Sequence, residues 1–240
     1  MENVVIYIFV SLVISGVVGK IGYAAKLLTS GGSTAAFLLC TLVGVLGSPN
    51  MLALFLVYAI VEIFAVRIGN CNRETMGVDF DERGERDFWD ISKMMIGPLA
   101  ISIIDIVWQD NGGIVAVAFI TCIAVLAACT AANEFGIKDT RVWDIITFKK
   151  VQPGTDGSVS LRGILFATVA IVIFSILGSV LAIGNLDRVW IPIVCGVVGF
   201  VIDLIIGATL VRKRTVTATV RSNISCIAGA LLSIPLCLIL

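Results

Sequence analysis

The sequence predicts an all-α, polytopic transmembrane helix bundle of about eight spans, with seven also compatible, and three observations predict it. Hydrophobic residues make up 58% and charged residues 14% of 240, against roughly 45–50% and 25% in a soluble domain. A mean hydropathy of +1.06 is more apolar surface than one globular core can hide, so the excess faces lipid. The apolar residues gather into runs rich in Leu, Ile and Ala. Hydrocarbon offers no partner to an open backbone amide, so such runs cross as helices rather than barrel strands. Finally, Lys and Arg divide unevenly between alternate connections.

Taken in order, the runs fall at about 4–19, 32–47, 51–66, 94–108, 113–130, 163–184, 189–210 and 224–240. Several are shorter than the roughly 20 residues of a perpendicular span, so flanking residues or local thinning must help. The first run follows Met1-Glu2-Asn3 without a basic leader, which predicts a retained helix rather than a cleaved signal. Eight spans place 16 of the 17 basic residues on one side and Arg188 alone on the other. Basic residues stay cytoplasmic during insertion, so the rich side is predicted inside and both termini outside, in a cell-membrane protein. Outer connections are short, at 48–50, 109–112 and 185–188, and the inner ones at 67–93, 131–162 and 211–223 are long. Chemistry is therefore expected on the inner face. The chain reads as a single integral membrane domain, 1–240.

Composition excludes several functions. There is no histidine, hence no His-based triad, metal site or proton relay. The 17 basic and 17 acidic residues balance, so no net field recruits nucleic acid. Of the seven cysteines, all but Cys71 lie in or at the ends of apolar runs without a CxxC pair, and read as small buried hydrophobes.

Two features carry possible chemistry. Lys149-Lys150-Val151-Gln152-Pro153-Gly154-Thr155-Asp156-Gly157-Ser158-Val159-Ser160 leads directly into the sixth run. Its glycines let successive amides converge on an anion, its hydroxyls add donors, and the next helix offers its N-terminus to phosphate. The other reading is a Pro-Gly turn with Ser160 as a helix cap. Asp203 lies nine residues before Arg212, about 13 Å up its run at 1.5 Å per residue. An acid at such depth faces a cavity, a ligand or a partner. Gly199, Asp203 and Gly207 form one helical stripe that another backbone or a ligand can approach closely. Glu62 and Asp105 lie nearer the membrane surfaces, Glu134 sits at the inner end of the fifth run, and the charged 73–93 segment offers Arg86 as a phosphate contact.

These residues, in this order, resemble the integral-membrane family that includes transmembrane protein 19 and the plant phytyl-phosphate kinase. The resemblance spans roughly Ala24 to Ser233. It runs through Lys26-Leu27-Leu28-Thr29, Gly32, Ala35-Ala36-Phe37, Arg83-Gly84-Glu85-Arg86, Glu134-Phe135-Gly136, Val151 to Gly163, Asp203-Leu204-Ile205-Ile206-Gly207-Ala208-Thr209-Leu210 and Asn223. It implies phosphoryl transfer from a nucleoside triphosphate, CTP favoured, to an isoprenoid or other lipid monophosphate, with Mg2+ as cofactor. The wider group looks related to dolichol kinases and CDP-diacylglycerol synthases. On this resemblance Asp156 and Asp203 would hold the metal. Gly154, Thr155, Gly157, Ser158 and Ser160 would cradle phosphates, Lys150 and Arg86 would neutralise them, Glu134 would orient water or acceptor, and Asn223 joins the substrate-binding set.

The chain departs from the family pattern at three places. Where the family reads Ala-Asp-Thr-Trp-Ala, it has Ala128-Cys129-Thr130-Ala131-Ala132, and a thiol is a poor magnesium ligand. Arg86-Asp87 stands for Arg-Asn, and Gly157-Ser158 for a doubled glycine. A catalytically inactive member, or a small-solute or ion transporter using Glu62 and Asp203, is therefore the competing expectation, with a cytidylyltransferase behind both. The kinase reading requires the turn at 153–158 and Asp203 to wall one inward-opening chamber.

Overall fold

A computed structural model of the chain describes residues 2–75, 87–108, 113–136, 139, 141–152 and 155–239. Arg86 and Gly154, with most of the charged segment before the fourth run, lie outside the described residues. Eight α-helices are described: α1 (Glu2–Ala24), α2 (Ser30–Leu46), α3 (Pro49–Thr75), α4 (Phe88–Trp108), α5 (Ile114–Gly136), α6 (Leu161–Gly178), α7 (Trp190–Ile206) and α8 (Ala218–Ile239). Seven of these segments are long and apolar enough to cross a membrane, and α2, at 17 residues, is the shorter apolar helix. Each expected run coincides with one helix. The helices extend past several runs at their polar ends, where capping and amphipathic residues continue a helix that apolarity alone does not mark.

Local chemistry sets two of the starts. Thr29 Oγ1 accepts from the Gly32 amide at 3.0 Å and opens α2. Ser160 Oγ accepts from the Gly163 amide at 3.0 Å and opens α6. Each hydroxyl supplies a partner to an amide that the first helical turn leaves open.

Glycine contacts fix how the helices lie. Gly22 of α1 packs on Leu28 and Gly44 of α2 on Ser11, so α1 and α2 are antiparallel. Gly31 at the start of α2 faces Phe88 at the start of α4, and Gly136 at the end of α5 meets Gly163 in the first turn of α6. The ends of α1, α3, α5 and α7 thus share one end of the bundle with the starts of α2, α4, α6 and α8. In the middle runs α5, buried from Val115 through Cys129 without interruption. A helix apolar on every face belongs in such a position. Around it pack α3, α4, α6, α7 and α8. The stripe on α7 faces α8: a methyl added at Gly199 would stand 3.4 Å from the Gly229 Cα and 3.2 Å from the Ser225 carbonyl oxygen.

The connection between α5 and α6 holds an element that the sequence reading lacks. Strands β1 (Val142–Asp144), β2 (Lys150–Val151) and β3 (Ser158–Ser160) form a three-stranded sheet in the order β2-β1-β3. Both pairings are antiparallel, with Val142 opposite Val151 and opposite Ser160. Strands of two or three residues are too short to show a period of two, which is why only the turn words around them were legible. Past their α-helical segments, α6 and α7 widen into π-helical turns at Ser179–Ile183 and Gly207–Val211.

Candidate functional site

Asp203 is 2% exposed on α7, one turn before the π-helical stretch. Its partner is Arg221 of α8, 6% exposed, whose Nε stands 3.2 Å from Oδ1 and 3.1 Å from Oδ2. A buried carboxylate is tolerable only when paired and hydrogen-bonded, and this contact meets that requirement. The Cys129 thiol of α5 and the hydroxyls of Ser222 and Ser225 on α8 also lie beside the carboxylate. Cys129, the residue standing where the resemblance would place an acid, is therefore a neighbour of Asp203.

On the sheet side, Arg221 Nη1 lies 3.6 Å from Asp156 Oδ1. Asp156 belongs to the turn between β2 and β3, and two backbone contacts place it. Gly157 has φ +70°, a left-handed conformation that favours glycine, and a side chain there would collide with the Ala208 backbone. The turn therefore seats directly on the widened helix at Gly207 and Ala208. Arg212 fastens it from the other side, donating from Nη2 to the Asp156 carbonyl oxygen at 2.7 Å. The same guanidinium pairs through Nη1 with Asp144 of β1. Asp144 Oδ1 in turn accepts from the amides of Ile146 at 2.9 Å and Thr147 at 2.8 Å. Those amides, Thr147 foremost, and the Arg212 guanidinium hold the Asp144 carboxyl down to about 2 from its ordinary 3.8. Charge alternates from the bundle to the sheet as Asp203, Arg221, Asp156, Arg212 and Asp144.

Of the residues singled out in the sequence, Asp156 and Asp203 come together on one guanidinium. The other residues of the turn and its flanks take different places. Thr155 Oγ1 donates to the Gln152 carbonyl at 2.7 Å and Ser158 Oγ to that of Thr155, so both hydroxyls shape the turn. Ser160 Oγ also donates to the Gly136 carbonyl at 3.3 Å, and its hydroxyl works as the cap that the sequence left as one of two readings. Lys150 is exposed on β2, one of the two edge strands, opposite Trp143. Glu134 turns toward α3, with its carboxylate against Gly69.

Asn223 is spliced into α4. Its Oδ1 accepts from the Gly97 amide at 2.9 Å and its Nδ2 donates to the Lys93 carbonyl at 2.8 Å. Those two groups lie one helical turn apart, directly before Pro98 inside α4.

Arg221, Arg212 and Asp144 are functional candidates that the sequence reading passed over. Arg221 lay outside the expected eighth run, which began at 224, whereas α8 begins at Ala218. The demand of Asp203 for a partner was the available signal. Among the described residues, no three His, Cys, Asp or Glu side chains stand close enough to share a metal ion. Asp156 and Asp203 are nevertheless two hard oxygen donors, and magnesium takes one or two carboxylates from a protein and the rest from phosphates and water. By donor chemistry the pair offers such an ion two oxygens and no dedicated cage.

The fold and this charged cluster define a multi-pass integral membrane protein with a buried ion pair beneath a polar turn. The chain belongs to the family described as integral membrane protein DUF92, which matches residues 13–229. It is similar to the Protein PGR of Arabidopsis thaliana, with 26% identity over 226 residues that cover 83% of this chain and 77% of that protein. No solved structure matches the chain.

Proposed function

We propose that the protein transfers a phosphoryl group from a nucleoside triphosphate, CTP favoured, to an isoprenoid or other lipid monophosphate at the cytoplasmic face of the membrane. The observation that carries this reading is the meeting of Asp156 and Asp203 on Arg221, which joins a polar turn, an intramembrane acid and a buried cation from three distant parts of the chain. The position suits the substrates. A lipid phosphate keeps its tail in the bilayer while a soluble nucleotide reaches it at headgroup level. An acceptor phosphate oxygen attacks the γ-phosphorus, the bond to the bridging oxygen breaks, and a nucleoside diphosphate leaves behind a lipid diphosphate.

Phosphoryl transfer needs positioning and charge neutralisation more than covalent help from the protein. Mg2+, when bound, neutralises charge on the β- and γ-phosphates. Asp156 and Asp203 are the residues to hold it, and Lys150, with Arg86, offers further positive charge. Thr155, Gly157 and Ser158 shape the turn presented to phosphate, and Gly154 is proposed to join them in binding it. Ser160 and Asn223 serve the site by holding α6 and α4 in place, while Glu134, turned toward Gly69 of α3, is given no part in the transfer.

The test is label transfer by purified protein from radiolabelled CTP or ATP to a panel of prenyl monophosphates in magnesium. We expect labelled lipid diphosphate, and a loss of at least about 100-fold in Asp203→Asn and in Asp156→Asn, the scale of removing one transition-state contact. Cys129 beside Asp203 favours a second reading, a member of the family that has kept the fold and lost catalysis. Absence of transfer with every nucleotide and acceptor would decide for that reading.

A further inference from the structure

We infer that the outer edge of Arg221 is a phosphate subsite, and that the Asp156 carboxylate occupies it until a phosphate group displaces it. The inference deepens the reading above and rests on it for the identity of the ligand.

The two partners of this guanidinium are unequal. Asp203, 2% exposed, grips Nε from both oxygens at 3.1 and 3.2 Å and fixes the side chain from within the bundle. Asp156 meets Nη1 at 3.6 Å, well beyond the roughly 2.7–2.9 Å of a strong charge-assisted hydrogen bond. Its side chain is 45% exposed, so this contact opens to water. A guanidinium carries five N–H donors in a planar fork that suits carboxylate and phosphate oxygens alike. With Nε taken by Asp203, the outward donors form the edge that Asp156 covers.

The turn does not depend on that carboxylate. Its backbone is seated on Ala208 through Gly157 and tied to Arg212 through the Asp156 carbonyl oxygen. The side chain can therefore leave Nη1 while the main chain stays in place. An incoming phosphate then exchanges one anion for another on a cation already desolvated and oriented, so little ordering remains to oppose binding. In the transfer reaction, the same exchange would free the Asp156 carboxylate from Nη1.

Two sources share this chemistry, the acceptor lipid phosphate and the nucleotide phosphates, and the test separates them. The full chain, purified in detergent and kept metal-free with EDTA, is titrated with inorganic pyrophosphate and separately with farnesyl monophosphate. Asp156→Asn is expected to bind one of the two at least about fivefold more tightly than wild type, since the covering anion is gone. Tightening for farnesyl monophosphate assigns the subsite to the acceptor, and tightening for pyrophosphate assigns it to the nucleotide. Arg221→Lys should weaken the same probe about tenfold by losing the planar fork. The double variant Arg221→Gln/Asp203→Asn, which strands no buried charge, should abolish its binding. Unchanged or weaker binding of both probes by Asp156→Asn overturns the inference, as does full binding by the folded double variant. The failures remain distinct: metal-free tightening without label transfer in magnesium rejects the kinase reading and leaves the subsite standing.

Discussion

Asp203 shows how one residue imposes conditions on a fold. Its cost in hydrocarbon, at least about 2.5–3.5 kcal/mol on insertion scales, made it conspicuous in an apolar run. Its partner was not conspicuous. Arg221 is 18 residues further on, in the first turn of the next helix. Ser160 was legible only as one of two roles, because a cap and a phosphate donor call for the same hydroxyl. Asp144 carries the clearest pH prediction. Its carboxyl is held near 2, below the ordinary 3.8, so the stabilisation it contributes is complete above that ordinary value. It fades as pH falls through that interval and is absent below about 2. Tryptophan emission should report loosening of the sheet at Trp143 across this acid window. Asp144→Asn should remove the transition and Trp143→Phe should remove the signal. A transition that persists unchanged in Asp144→Asn would assign the acid response elsewhere.

At the scale of elements, spans were readable because apolarity accumulates over a whole helix, and joints were not. Pro98 lies inside the continuous helix α4, and Asn223 of α8 bonds the Gly97 amide and the Lys93 carbonyl one turn apart. The sequence offers a proline and an asparagine 125 residues apart, with nothing to connect them. Asn223→Ala would leave the Gly97 amide and the Lys93 carbonyl without these bonds. The expected loss is about 1–3 kcal/mol, the usual penalty for a buried polar group stripped of its partner. Reversible unfolding in detergent measures it, and a variant as stable as wild type would mean that these two bonds contribute nothing to holding α8 on α4. The strands were missed for the opposite reason: each is too brief for a pattern and exists only through pairing with the others.

Across the whole molecule, the alternating helices bring Lys26, Arg67, Lys93, Arg162, Arg212 and Arg221, among the described residues, to the end of the bundle that carries the sheet and the charged cluster. The positive-inside rule predicts that this end faces the cytoplasm, and labelling tests it. In a Cys71→Ser background, Asp187→Cys between α6 and α7 should react with a membrane-impermeant maleimide on intact cells. Lys213→Cys between α7 and α8 should react only after permeabilisation. The reverse pattern would invert the protein and move the proposed nucleotide site to the outer face. The six remaining cysteines are buried, which keeps the background low.

The sequence by itself determined a membrane bundle, its order of helices, the conspicuous acid and the glycine-rich turn, because apolarity and local turn chemistry are properties of short contiguous stretches. Tertiary structure alone decided that Asp203 and Asp156 share Arg221, that Arg212 ties the turn to the sheet, and that Asn223 ties α8 to α4. Each of those is a pairing between distant segments, and its geometry exists only once α7 and α8 have packed against α5 and the turn has settled on the widened end of α7.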